Sequence, residues 1–587
     1  MLNPERNHVE NEMSVQNMPM KNEEQKPIGY IVGGGLKANL QARLTVPAQT
    51  VQEGAFVVVE SGNWLFYGLV TDLQLGSTDP RFADEQTEDR LPSHLAKLLH
   101  GQTLFTNLEV MAALMMEQGP DPLEEPDAYN EWFQKVLDEK IRPEPVKTVP
   151  QHHAEVRLAR AGDIAEIFGK EGERSFFRIG DTIEGGHPVC VDLDKLVQRS
   201  SGIFGATGTG KSFLTRVILA GLIKRDKTAV LIFDMHNEYG PDDTASDTGM
   251  RVPGLKGKFP SKVRMVGLGR GATIRGKSPD YTLEIAESDI KPEDVMMLAQ
   301  ELNLRETTPT TLEALRASFH EAWFHEFKHM RTNAYNFDEE GKRYPAPDSV
   351  EAWANEAGVH PGAAEALHSK LRRLFNAPYI VEQPAANALQ QMIDNLDNGQ
   401  HVVLSFGKHE TDLDYLFVSN LLTRRIRDVW EHRTNNFRSG HQGASEPRPL
   451  VIVVEEAHKL LNREMASQTT FSTIAREMRK YYVTLLIIDQ RPSQIYDEVM
   501  SQLGTRITGW LGDSDDIQSV LTGLAGRDAL RGMLAHLQPK EEVLMLGWGV
   551  PMPIVVHSRR YDEVFWEELL GDKRRRSSEE ILDELGF

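Results

Sequence analysis

Cross-linking chemistry is nearly absent from this chain: among 587 residues Cys190 is the single cysteine. That excludes an intrachain disulfide framework and a thiolate zinc cage, and it fits a reducing cytosol. Long apolar runs are missing too. None approaches the roughly 20 residues needed to cross a bilayer, so no membrane association is expected. The opening stretch MLNPERNHVENEMSVQNMPMKNEEQKP lacks the apolar segment of a secretory signal and reads as a disordered tail over residues 1–27. Positive charge is in deficit: 65 Lys and Arg against 87 Asp and Glu leave a net charge of −22. A protein that coats nucleic acid over its whole surface needs the opposite balance, so any DNA must be held in a local basic channel. The acidic excess also keeps a large assembly soluble.

What is present falls into blocks, as expected for a chain too long for one core. IGYIVGGG, LQARLTVPA, GAFVVVESG and WLFYGLVTDLQL are short apolar runs punctuated by glycine, the pattern of a small β-barrel or sandwich. Residues 84–146 lose that character; HLAKLLHG and DAYNEWFQKVLDEKI read as a helical insertion. Strand-like runs return at HAEVRLARAG and FFRIGDTIEGGHPVCVDL, giving a barrel domain over residues 28–195. From residue 196 to 560 apolar runs alternate with helical periods: SGIF, TAVLIFD, VRMVGLG, HVVLSFG, PLVIVVEE and VTLLIID. Continuous apolar strands separated by helices predict a parallel α/β sheet buried on both faces. Residues 279–398 carry helical spacing instead, the mark of a helical subdomain inserted into that sheet. EVLMLGWGV and PIVVHSRR read as a final hairpin, and residues 561–587 as a tail ending in a helix.

The most specific motif is GATGTGKS, Gly205, Ala206, Thr207, Gly208, Thr209, Gly210, Lys211 and Ser212, set between an apolar strand and a helical period. Its glycines let backbone amides curl around phosphates, the lysine reaches the β and γ oxygens, and the serine hydroxyl meets Mg²⁺. ATP with Mg²⁺ is therefore the expected cofactor pair. A second carboxylate should come from another strand end of the same sheet. VIVVEEAH supplies Glu455, suited to holding the magnesium water shell, and Glu456, suited to polarising the attacking water. The alternative is a solvated helix start, where glutamate is also favoured. Asp234, after the strand in FDMHNEY, either supports magnesium or water, or caps a polar loop. His236 and His458 read as isolated histidines rather than metal ligands.

In FSTIAREMRK the helical spacing puts Phe471, Ile474 and Met478 on one face, and Arg476, Arg479 and Lys480 on another. Such an arginine either enters a neighbouring subunit's site as a finger or belongs to a solvated basic face. The next strand ends in Gln490, an amide suited to sensing the γ-phosphate or placing water. RMVGLGRGATIRGK carries Arg264, Arg270, Arg275 and Lys277, either a loop that follows a phosphate backbone or a solvent-facing turn. The run Lys573 to Arg576 before SSEEILDEL reads as a solvated linker or a partner contact.

These pieces in this order resemble the HerA family of hexameric DNA translocases, in the FtsK-like branch of RecA-type ATPases. The resemblance rests on the small N-terminal barrel, GATGTGKS, FDMHNEY, the glutamates of VVEEAH, IAREMRK before DQRPSQI, and GTRITGWLGDSDDIQSV. It spans roughly residues 28–560. It implies Lys211 and Ser212 as phosphate and magnesium residues, Glu456 as catalytic base, Gln490 as sensor, and Arg479 or Arg476 as finger in trans. It further implies a six-membered ring with duplex DNA in its pore, and a HAS-type barrel that docks a NurA-like nuclease, or a sirtuin-like or other nuclease effector in antiviral defence. FDMHNEYG departs from the family in having methionine and asparagine where proline and glycine are frequent. A scaffold ring that activates an effector with little translocation is the alternative function, separable by whether DNA raises ATP turnover. A protein-remodelling ring is disfavoured, because nothing resembles a substrate-gripping aromatic pore loop.

Overall fold

The computed structural model describes residues 26–78, 104–120, 123–137, 141–173, 175–244, 249, 251–465, 470–524 and 526–571. The chain divides into two compact units: Met1–Glu173 with Gly180–Cys190 and Met552–Val556, and Arg174–Ile179 with Val191–Pro551 and His557–Phe587. It passes between them within the strands Phe176–Thr182, Pro188–Asp192 and Ile554–Ser558.

The first unit holds β1 (Gly29–Gly35), β2 (Ala38–Leu44), β3 (Phe56–Ser61), β4 (Trp64–Ser77), β5 (Leu104–Glu117), β6 (Glu144–Pro145) and β7 (Glu155–Leu158). Their order is β2-β1-β7-β3-β4-β5-β6, and a further pairing of β2 with β5 closes the sheet into a barrel. Leu40, Ala42 and Leu44 of β2 point inward in turn, the period-two pattern of a half-buried strand. They meet Val57, Val59, Phe66 and Val110 in the barrel core. The ladder between β4 and β5 shifts register at Tyr67/Gly68. A Cβ on Gly68 would stand 2.7 Å from the Met111 carbonyl oxygen, so glycine is what admits the close approach there.

The expectation of helices and loops across residues 84–146 is corrected by β5. LFTNLEVMAALMME is rich in leucine and methionine, which favour helices, yet it pairs with both β4 and β2. Cross-strand packing overrides local propensity when a barrel wall needs filling. DAYNEWFQKVLDEKI does contain a helix, Pro126–Leu137. HLAKLLHG lies outside the described residues.

The second unit is built on β8 (Ser201–Phe204), β9 (Ala229–Asp234), β10 (Val263–Leu268), β11 (Tyr281–Leu283), β12 (His401–Ser405), β13 (Leu450–Glu455), β14 (Val483–Asp489), β15 (Thr505–Thr508) and β16 (Glu542–Gly547). They run β11-β10-β12-β9-β13-β14-β8-β15-β16, parallel except for the β15–β16 pair. β9, β12, β13 and β14 are buried at every position, as strands covered on both faces must be. The strand leading to GATGTGKS is separated from the strand leading to Glu455 by β14. This is a RecA-like α/β core.

Between β11 and β12 come the helices Pro292–Met296, Thr308–Phe319, Trp323–His329, Val350–Glu356, Pro361–Phe375 and Ala388–Asp397. Residues 281–283, expected within the helical insertion, form the edge strand of the sheet. A helix, Glu563–Leu570, follows the last strand; SSEEILDEL and the basic run before it lie outside the described residues. No helix among the described residues is long and apolar enough to cross a membrane.

Candidate active site

Register determines what meets at the carboxyl edge of the second unit's sheet. Phe204 pairs with Asp489, and Glu455 with Ile488. The residues just past these pairs, the phosphate loop, Gln490 and Glu456, therefore emerge side by side. Gly205, Gly208 and Gly210 take φ values of +151°, +78° and +87°, backbone that glycine alone adopts without strain. The loop turns directly into the helix Lys211–Arg225. It is braced from β15, where the Trp510 carbonyl accepts from the Ala206 amide at 2.9 Å and the Gly509 amide donates to the Phe204 carbonyl at 2.9 Å. Thr209 Oγ donates to the Ala206 carbonyl at 2.8 Å.

Lys211 Nζ donates to the carbonyls of Gly205 and Ala206 at 2.7 and 2.8 Å, so the ammonium is held over its own loop. Burial lowers its pKa, opposed by the charges of Glu456, Asp489 and Glu238. Ser212 is half-buried in the first turn of the helix.

A line of hydrogen bonds joins the loop to the glutamates. Thr207 Oγ donates to Gln490 Oε1 at 2.6 Å, and Gln490 Nε2 donates to Glu456 Oε1 at 2.9 Å. A carboxylate only accepts, so the amide must present its NH₂ to Glu456 and its oxygen to the hydroxyl. Glu456 has φ +45°, left-handed backbone that a glutamate rarely adopts. Strain of this kind, typically about 1–3 kcal/mol, is a recurrent mark of functional positions.

Glu455 points elsewhere. Its Oε1 accepts from the buried Tyr239 hydroxyl at 2.8 Å, and its backbone carbonyl accepts from Tyr415 at 2.8 Å. Oε2 is buried with no hydrogen-bond partner among the described residues, an oxygen that a proton or a cation would complete. Burial and the nearby Asp234 and Glu238 charges push the Glu455 carboxyl well above the usual carboxylate range, against the Tyr239 donor. The Glu455 carboxylate and the Ser212 hydroxyl are hard oxygen donors, the chemistry that suits Mg²⁺.

The sequence profile described as "Helicase HerA, central domain" matches residues 177–426. The "DNA double-strand break repair helicase HerA" of Saccharolobus solfataricus is 23% identical over 547 residues, 93% of this chain and 93% of that protein. The protein of the same name from Sulfurisphaera tokodaii is 24% identical over 91% of this chain and 93% of its own length. The chain is thus similar to the HerA helicases over nearly its whole length, and residues 177–426 match the central domain of that family. Among solved structures, VirB4 of Thermoanaerobacter pseudethanolicus is similar at 15% identity and a TM-score of 0.41, covering 68% of this chain and 99% of that one.

With this phosphate loop the chain is an ATP-hydrolysing P-loop enzyme, and several of its residues sit differently from the sequence expectation. Asp234 accepts from the amides of Glu238, Tyr239 and Gly240 at 2.7, 3.0 and 3.1 Å. Its carboxylate is thereby used to cap a loop, which is the second of the two roles open to it, and the capped loop presents Tyr239 to Glu455. Arg476 and Arg479 are both exposed, at the end of the helix Thr470–Glu477 and in the 3₁₀ turn Met478–Tyr481. Arg476 is tied to Glu498 at 3.2 Å; the Arg479 side chain has no partner among the described residues. Phe471, Ile474 and Met478 are buried beneath them.

The basic run after β10 is not a free loop throughout. Arg264 lies within β10 and donates to Gln400 Oε1 at 2.8 Å. Arg275 is paired with Asp243, while Arg270 and Lys277 are exposed. His458, read from sequence as isolated, is in contact with two carboxylates: its Nδ1 is 3.0 Å from Asp489 Oδ2 and 3.5 Å from Glu456 Oε2. The hydrogen bond to Asp489 raises its pKa, against burial. Tyr239 and Asp489 are residues at this sheet edge that the motifs do not single out, and His458 is one that the sequence reads as isolated. Each lies within five positions of a candidate site residue, in FDMHNEY, IIDQR and EEAH, and a helical or extended period carries no signal for a contact between different strand ends.

Proposed function

We propose that the chain is an ATP-driven translocase of double-stranded DNA that works as a ring of six copies. A nuclease of the NurA type or another effector docks on its barrel, in DNA end processing or antiviral defence. The observation that carries the catalytic part is the hydrogen-bonded line from Thr207 through Gln490 to Glu456. The DNA part is supported by the relatives, which are named as DNA double-strand break repair helicases and align over nearly the whole chain.

In this reading the loop amides and Lys211 bind the β- and γ-phosphates. Ser212 and Glu455 hold Mg²⁺, which neutralises phosphate charge when bound. Glu456 accepts a proton from the water that attacks the γ-phosphorus; the new P–O bond forms as the bond to the ADP oxygen breaks. Gln490 holds Glu456 and senses the phosphate loop through Thr207. Arg479, exposed and without a side-chain partner among the described residues, reaches the γ-phosphate of a neighbouring copy. A finger supplied in trans requires a head-to-tail contact, and such contacts close into rings.

The test is steady-state ATPase of the wild type, Lys211→Ala, Glu456→Gln and Arg479→Ala, with and without linear duplex DNA, with mass photometry of each. Stimulation by DNA, six-copy particles and loss of turnover in all three variants support the translocase. Six-copy particles whose turnover ignores DNA would move the reading to a scaffold ring that activates an effector.

A further inference from the structure

We infer that His458, held by Asp489, is a positioning residue for Glu456: together with Gln490 it clamps the carboxylate from its two sides. The inference rests on the reading of Glu456 as the catalytic base and deepens it.

Glu456 has a left-handed backbone and a side chain 24% exposed, so its carboxylate needs restraint to face one direction. Gln490 supplies it on Oε1, at 2.9 Å. Oε2 faces His458 Nδ1 at 3.5 Å. That nitrogen lies 3.0 and 3.2 Å from the two oxygens of Asp489. Both neighbours are carboxylates, so Nδ1 carries the hydrogen; it goes to the nearer Asp489, and the positive edge of the ring faces Glu456 as a charge contact.

The ring has little freedom to turn away. The His458 backbone amide also donates to Asp489 Oδ2, at 2.7 Å, and the Arg491 amide donates to Oδ1 at 2.7 Å. Asp489 is therefore a four-contact anchor, with a side chain of zero exposure. It sits at the end of β14, immediately before Gln490. The last residue of β14 and the one after it thus restrain the two oxygens of Glu456, Gln490 by a hydrogen bond and Asp489 through the imidazole. Movement of β14 with the phosphate loop, to which Gln490 is tied through Thr207, would shift both restraints together.

The test uses the full-length chain in the ATPase assay, with and without linear duplex DNA, and fluorescent-ATP binding as a check on folding. His458→Ala is expected to lower kcat about tenfold while KM for ATP stays within twofold. His458→Asn places an amide donor where Nδ1 stood and is expected to return to within threefold of wild type. His458→Gln carries its donor one bond further out, where Nε2 stood, and is expected to remain as low as alanine. A histidine that only filled space would show the reverse order, with the larger glutamine the better replacement. Turnover in His458→Ala within twofold of wild type, or His458→Asn no better than His458→Gln, would overturn the inference. Glu456→Gln measured alongside separates the two levels. Its loss of turnover beside an unaffected His458→Ala overturns the positioning role alone; its full turnover overturns the base and the positioning role together.

Discussion

Replacing Gln490 by alanine tests the connection between the phosphate loop and the hydrolytic glutamate. The substitution removes the 2.6 Å bond from Thr207 and the 2.9 Å bond to Glu456. A hydrogen bond to a charged acceptor is worth about 1.5–3 kcal/mol when water is excluded. The Glu456 side chain keeps 24% exposure, so water replaces part of the lost bond and the effective loss falls to about 1–1.5 kcal/mol. At about 1.4 kcal/mol per decade, kcat should drop roughly five- to tenfold. KM for ATP should change by less than twofold, because the loop amides and Lys211 are untouched. Thr207→Val should have a smaller effect, and the double variant should match Gln490→Ala, since Thr207 acts through Gln490 and serial contacts are not additive. A coupled-enzyme ATPase assay at saturating Mg²⁺ reads all three. The reasoning fails if kcat in Gln490→Ala stays within twofold of wild type, or if the two substitutions multiply.

Three further outcomes are expected. Tyr239→Phe leaves both oxygens of the buried Glu455 without a protein donor, a loss of about 1.5–3 kcal/mol visible as a lower melting temperature, with a severalfold rise in the Mg²⁺ needed for half-maximal turnover; an unchanged Mg²⁺ dependence would dissociate Tyr239 from the metal. His401, 1% exposed with neither ring nitrogen hydrogen-bonded among the described residues, has its pKa lowered by burial to about 4. The folded chain thus refuses a proton that the unfolded chain takes up, so stability is full above pH ~6.5 and falls by about 3 kcal/mol as pH drops to about 4. His401→Leu should flatten that acid limb in a melting-temperature profile, and an identical slope in both proteins would remove His401 as its cause. Arg506, 1% exposed, donates to the carbonyls of Val520, Thr522 and Met500; Arg506→Met should destabilise by about 3 kcal/mol through carbonyls left unpaired, and a melting temperature within 1 °C of wild type by roughly the usual entropy scaling would contradict it.

Local sequence determined the parts whose physics is local. GATGTGKS needs glycine at positive φ and a strand and helix on either side, and all of these are legible in consecutive residues. The buried strands of the core read as continuous apolar runs because a sheet covered on both faces requires them at every position. The glutamate pair and Gln490 follow from the rule that ligands gather at the carboxyl ends of parallel strands. The tertiary structure decided what depends on register and pairing across the chain. β5 is a strand because β4 and β2 lie beside it, although its leucines and methionines favour a helix. Asp234 is a loop cap because three amides converge on it. Arg476 is committed to Glu498 and Arg479 is not, a distinction invisible on a helical wheel that places both on one face. His458 belongs to the site because Phe204 registers with Asp489 and Glu455 with Ile488, which brings residues 31 positions apart within hydrogen-bond reach. Contacts between strand ends are set by the order and register of the sheet, and neither is encoded in the period of any single segment.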